Sequence, residues 1–107
     1  MCGSSLALMY AAENPNVTAV AMLSPGIDYF GNMKTKPAIK KYGDRPLFMT
    51  AAEDDKESAD AVRELQTAGG SEKYETKIYP QGGHGTALFK VGLEDELEAF
   101  LTRTLAK

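Results

Sequence analysis

Two short, nearly unbroken apolar runs set between turn signals constrain this chain more than any other feature. Residues 17–23 read Val-Thr-Ala-Val-Ala-Met-Leu, between Asn14-Pro15-Asn16 and Ser24-Pro25-Gly26. Residues 47–52 read Leu-Phe-Met-Thr-Ala-Ala, between Gly43-Asp44-Arg45-Pro46 and Glu53-Asp54-Asp55. A strand with one wet face alternates apolar and polar side chains, whereas a run without that alternation suits a strand covered on both faces of a parallel sheet. Both runs are therefore expected to be strands buried on both faces.

The segments around them complete an alternating series. Residues 4–13 are strong helix formers behind a serine able to cap, and Asn14-Pro15 ends them. Apolar nearly all round, this helix is expected to be buried on more than one side. A loop rich in Gly, Asp and Tyr follows the first run, then a short helix near residues 38–42. Ser58 is a candidate N-cap for a helix over 59–68, with Val62 and Leu65 facing inward and Gly69-Gly70 as its stop. Residues 74–79 alternate Tyr74, Thr76 and Ile78 with Glu75, Lys77 and Tyr79, the pattern of a less buried edge strand. In the last helix Leu93, Leu97, Phe100, Leu101 and Leu105 form an apolar stripe. Glu94, Asp95 and Glu96 stand at its start and Arg103 and Lys107 at its end, as the helix dipole favours.

This order predicts an α/β fold: a three-layer, three-stranded parallel sheet flanked by helices, with right-handed crossovers. With 107 residues, 43% of them hydrophobic, residues 1–107 suffice for a single domain and one core but not for two. A parallel unit that opens on an apolar helix looks like one whose preceding strand lies elsewhere.

Composition also limits partners. A net charge of −3 supplies no attractive field for nucleic acid or an anionic bilayer, and the lysines at 34, 36, 40 and 41 are too few to reverse it. The single cysteine, Cys2, cannot form an internal disulfide, no charged segment followed by an apolar run marks a signal peptide, and no run approaches a membrane span. A cytoplasmic setting is the expectation. No phosphate loop or dinucleotide fingerprint is present, and one His with one Cys is a poor basis for zinc, so neither cofactor nor metal is expected.

In open parallel sheets reactive groups collect at the carboxyl ends of the strands. Glu53-Asp54-Asp55 follows the second run directly, and Gly82-Gly83-His84-Gly85 follows the 74–79 strand after Pro80-Gln81. An acid after one strand and the only histidine after the next suit an Asp that fixes the tautomer of a His general base. Each segment taken singly also reads as an ordinary solvated loop or a glycine-rich turn before a helix.

The segments Met1-Cys2-Gly3-Ser4-Ser5-Leu6-Ala7-Leu8, residues 47–55 with Ser58, and Tyr79-Pro80-Gln81-Gly82-Gly83-His84-Gly85 together resemble the C-terminal half of the α/β-hydrolase superfamily. The dienelactone-hydrolase-like and esterase-like members are the nearest in look, and the resemblance covers essentially the whole chain. It implies Asp55 as the acid, since the family's G-x-x-D maps onto Ala52-Glu53-Asp54-Asp55, with Asp54 the alternative one register away. It implies His84 as the base, in the family's G-x-x-H-G setting.

By the same resemblance Gly3 matches the last glycine of the G-x-S-x-G elbow, so the nucleophile position falls at Met1, whose thioether has no proton to lose and cannot attack a carbonyl as serine does. The residue after it, Cys2, would supply one oxyanion-hole N–H; the loop supplying the other, like the elbow's strand, falls before Met1. Cys2 stands one residue out of register to be the nucleophile itself. Ser4 and Ser5 suit caps or first-turn residues.

The resemblance thus implies part of a hydrolase fold related to ester and lactone hydrolases, with a small ester or lactone as substrate, a fragment inactive or nearly so unless an N-terminal half complements it. The alternative from another class is a non-catalytic α/β binding or oligomerisation module. An unpaired apolar edge on the first strand would then pair with a second copy in a homodimer. A thiol site joining Cys2 and His84 is a third reading.

Overall fold

The computed structural model describes residues 3–25, 28–29, 33–70 and 74–105. Helix α1 (Gly3–Glu13) leads to strand β1 (Val20–Leu23), followed by the short antiparallel pair β2 (Asp28–Tyr29) and β3 (Met33–Lys34). Helix α2 (Thr35–Tyr42), strand β4 (Leu47–Ala52), helix α3 (Lys56–Gly69) and strand β5 (Tyr74–Tyr79) come next, then a 3-10 helix (Gly85–Val91) and helix α4 (Leu93–Leu105). The sheet order is β1-β4-β5, all parallel, with β4 in the centre.

The two-residue period of β4 divides the interior into two layers. Leu47, Met49 and Ala51 face one side, where they pack with Leu8, Ala11 and Ala12 of α1, Ala38, Ile39 and Tyr42 of α2, and Ala59, Val62 and Leu65 of α3. Phe48 and Ala52 face the other, against Leu88 of the 3-10 helix and Leu93 and Phe100 of α4, with the Phe48 and Phe100 rings stacked at 5.5 Å. Every residue of β4 is buried, as its unbroken apolar run requires. The fold is thus three-layered, helices on both faces of a three-stranded parallel sheet.

β1 departs from expectation in both length and burial. Only residues 20–23 pair with β4, and along them burial alternates: Val20 and Met22 are buried against α1 and α2, Ala21 and Leu23 only partly covered on the α4 side. The reason is geometric. β1 lies at an edge of the sheet, and its α4-side residues are only partly covered. Edge position for β5 agrees with its alternating sequence.

α1 likewise buries one face rather than several, since Leu8, Ala11 and Ala12 are buried while Tyr10 is 65% exposed. Ser58 does not cap α3; the helix begins three residues earlier than expected, at Lys56, Asp55 holds the N-cap position, and Ser58 is buried inside the first turn. Gly70 ends α3 in a left-handed conformation (φ +63°), its N–H donating to Gln66 O. Ser4 and Ser5 fall in the first turn of α1.

A single residue outside the sheet ties the first half together. The Arg45 guanidinium donates to Ala11 O in the last turn of α1, to Asn14 O and Val17 O just beyond it, and to Tyr42 O at the end of α2, at 2.8–3.0 Å. It also lies over the Tyr42 ring, 4.2 Å from its centre. The arrangement places a cationic donor at the carboxyl ends of two helices and on the turn after the first, which the helix dipoles also favour. No helix among the described residues is long and apolar enough to cross a membrane.

Candidate active site

The last register pair of the sheet, Ala52 with Tyr79, brings the ends of β4 and β5 side by side. One further bond, from Glu53 N–H to Tyr79 O at 2.8 Å, holds the two strand ends together as they leave the sheet. Asp55 N–H donates to Ala52 O (3.0 Å), closing a tight turn, and Asp55 O accepts from Ala59 N–H (3.0 Å) to begin α3.

Three consecutive acidic residues in so short a turn must point in different directions, and each finds its own partner. Glu53 turns outward to Arg63 on α3 at 2.5 Å. Asp54 turns to the loop after β5, where Oδ1 accepts from Gly83 N–H at 2.9 Å and Oδ2 from Gly82 N–H at 3.2 Å. Asp55 meets the imidazole: its Oδ2 lies 2.5 Å from His84 Nδ1. Two backbone N–H donors, Gly83 first and Gly82 second, hold the Asp54 carboxyl below the usual aspartate range.

The residue identities of the His84 loop follow from its path. Gly82 (φ +151°) and Gly83 (φ +79°) adopt conformations that L side chains rarely take. A Cβ on Gly82 would stand 2.9 Å from Val91 Cγ2 and 3.1 Å from Leu88 Cδ2, so this glycine also lets the loop lie close against the 3-10 helix. His84 itself is ordinary extended backbone (φ −113°, ψ 138°) at the start of that helix, and Ala87 N–H donates to its carbonyl.

The Asp55 side chain is 19% exposed and that of His84 66%, so the acid sits under the base. A carboxylate at Nδ1 favours the tautomer with the proton on that nitrogen, leaving Nε2 as an acceptor able to take a proton from a nucleophile or a water. An imidazole held in this way has the geometry that a general base requires.

Of the sequence candidates, Asp55 and His84 are brought together. The alternative acid, Asp54, is directed elsewhere. Met1 and Cys2, the positions for a nucleophile and an oxyanion-hole N–H, lie outside the described residues, as do the side chains of Ser4 and Ser5.

Ser24 stands on the same edge, at the end of β1, with φ +52°, the only positive φ of a described non-glycine residue. Its residue exposure is 1%, and the following Pro25 has no N–H to offer an oxyanion, so it serves the turn rather than nucleophilic attack.

Among the described residues no three His, Cys, Asp or Glu side chains form a group able to hold a metal ion. The groove between α2 and α3, bordered by Lys36, Lys40, Arg63 and Glu64, is separate from the Asp55–His84 pair. Sequence reasoning missed the task of Asp54, whose only signal was its place beside Asp55 and two glycines before His84. Compared with protein-family models, curated proteins and solved structures, the chain shows no match to any of them.

Proposed function

We propose that this chain carries the acid and base of a serine-type acyl hydrolase acting on a small carboxylic ester or lactone, with Asp55 orienting His84. The observation that supports it most is the 2.5 Å contact between Asp55 Oδ2 and His84 Nδ1, made from the ends of adjacent parallel strands. Chain order agrees with the α/β-hydrolase resemblance, in which nucleophile precedes acid and acid precedes histidine. The base deprotonates a hydroxyl nucleophile, which attacks the ester carbonyl; the protonated ring then returns the proton to the leaving alcohol. A cytoplasmic setting accompanies this reading, with a lone cysteine and no internal disulfide.

The test adds a strand-and-elbow segment bearing a serine at the position of Met1, in cis or as a second chain, and measures hydrolysis of an activated carboxylic ester. Turnover should fall about 100-fold or more in His84→Ala, within the range a positioned general base contributes. Equal turnover in the complemented parent and its His84→Ala variant would refute the proposal.

A second reading is favoured by the position of β1, whose outer side meets no other strand among the described residues. On it, the chain is a binding module that forms a homodimer by pairing that edge with the same edge of a second copy. Sedimentation distinguishes the two readings: a folded monomer at high concentration excludes the dimer.

A further inference from the structure

Asp55 and His84 account for the proposed acid–base pair and leave their neighbour Asp54 without a chemical task. We propose that Asp54 is a positioning residue for His84, its carboxylate clamping the Gly82-Gly83 backbone so that the imidazole reaches Asp55 rather than sampling the loop's other conformations. The proposal rests on the reading of Asp55 and His84 as a pair.

Three observations carry it. First, the His84 side chain is 66% exposed, and among the described residues its ring is directed by its own backbone and by the contact to Asp55. Second, that backbone follows two successive glycines, the residues with the most conformational freedom to lose. From the far side His84 is anchored by the 3-10 helix, whose Leu88 is fully buried; from the near side the anchoring bonds to a side chain are those from Gly82 and Gly83 N–H to Asp54. Third, adjacent carboxylates compete for one imidazole. With both its oxygens engaged by backbone N–H groups, Asp54 is removed from that competition, and Asp55 alone faces Nδ1. The lowered ionisation range of Asp54 keeps the clamp charged wherever the base operates.

The full chain as it stands suffices for the test, because His84 is its only histidine and gives a single set of imidazole resonances. Nitrogen-15 shifts at mildly alkaline pH report which ring nitrogen bears the proton, and amide exchange reports Gly82 and Gly83. In Asp54→Ala the Nδ1–H tautomer should fall at least about threefold relative to Nε2–H, while exchange at the two glycines rises about tenfold, as expected for loss of charge-assisted bonds. Asp54→Asn, which keeps one acceptor oxygen, should lie between parent and alanine variant. Asp60→Ala, an exposed carboxylate on α3, should change neither reading.

An unchanged tautomer ratio in Asp54→Ala overturns the proposal, even where glycine exchange rises, because Asp54 would then anchor the loop without orienting the ring. Should the alanine variant lose its helical circular dichroism, the near-isosteric asparagine variant decides by the same ratio. Asp55→Ala tests the underlying pair separately: if the ratio is indifferent to Asp55, it is the pairing that fails.

Discussion

Arg45 offers the sharpest test of what holds the fold together apart from its site. Its guanidinium makes four bonds to main-chain carbonyls, one in the last turn of α1, two just beyond it and one at the end of α2, and covers the Tyr42 ring. Net hydrogen bonds contribute about 0.5–1.5 kcal/mol each, and at a half-buried side chain water replaces part of that, so the lower half of the range applies. Four bonds at about 0.5–1 kcal/mol, with about 0.5–1 kcal/mol for the cation over the ring, give a loss of about 2.5–5 kcal/mol in Arg45→Ala. That is a large part of the roughly 5–15 kcal/mol expected for a domain of this length.

Urea unfolding followed by circular dichroism measures it; with a slope of about 1.5 kcal/mol per molar, the midpoint should fall by about 2–3 M. Arg45→Lys keeps the charge but cannot reach carbonyls on both segments at once, and should recover less than half of the loss. The His84 tautomer should be unaffected in both folded variants, since Arg45 precedes β4 at the opposite edge of the sheet from Asp55. A change below about 0.5 kcal/mol in Arg45→Ala, the range of ordinary surface substitutions, would refute the assignment of Arg45 as a structural tie.

Burial pushes the Tyr42 hydroxyl up to about 12, outweighing the nearby Arg45 charge, and raises that of Tyr74. Each donates to a carbonyl, Tyr42 to Pro46 O at 2.5 Å and Tyr74 to Gly43 O at 2.6 Å. A raised folded value gives stability that is whole below about pH 10 and is lost as pH rises towards about 12. The urea midpoint should decline over that window, less steeply in Tyr42→Phe; an identical decline in that variant would count against the argument. At the site, Asp55→Ser should leave stability within about 0.5 kcal/mol of the parent, because a new serine cap offsets the loss of a contact to an imidazole that is 66% exposed. The same change should abolish the carboxylate-selected His84 tautomer by nitrogen-15 shifts, and a stability loss above about 2 kcal/mol would show that Asp55 serves the fold instead.

How much of this was legible in the sequence depends on what each feature requires. The unbroken run at 47–52 names its strand to the residue, since only the central position of a covered sheet buries both faces. The run at 17–23 looks much the same yet becomes a four-residue edge strand. Apolar composition reports what a segment tolerates, whereas coverage depends on which neighbours the sheet supplies. Arg45 was invisible for a related reason: its acceptors are main-chain carbonyls up to 34 residues away, and carbonyls carry no sequence signal. Ser58 satisfied the capping pattern but lies within the first turn of the helix, because the turn closed by Asp55 N–H and Ala52 O starts α3 earlier.

The candidate site shows where pattern gives way to geometry. Parallel strands deliver their following loops to one edge, so an acidic turn after β4 and a histidine after β5 must be near neighbours once the register pairs Ala52 with Tyr79. Proximity was therefore deducible, and the choice between Asp54 and Asp55 was not. Successive residues in a tight turn project in different directions, so a shift of one residue exchanges an imidazole for a pair of backbone amides. The N-cap position makes the consequence visible. Asp55 is well suited to cap α3, yet no capping bond forms, because its carboxylate is turned to His84. A side chain drawn from a stabilising local role into a contact 29 residues away is what the proposed acid–base pair requires, and a solvated loop of three acids gives no reason for it.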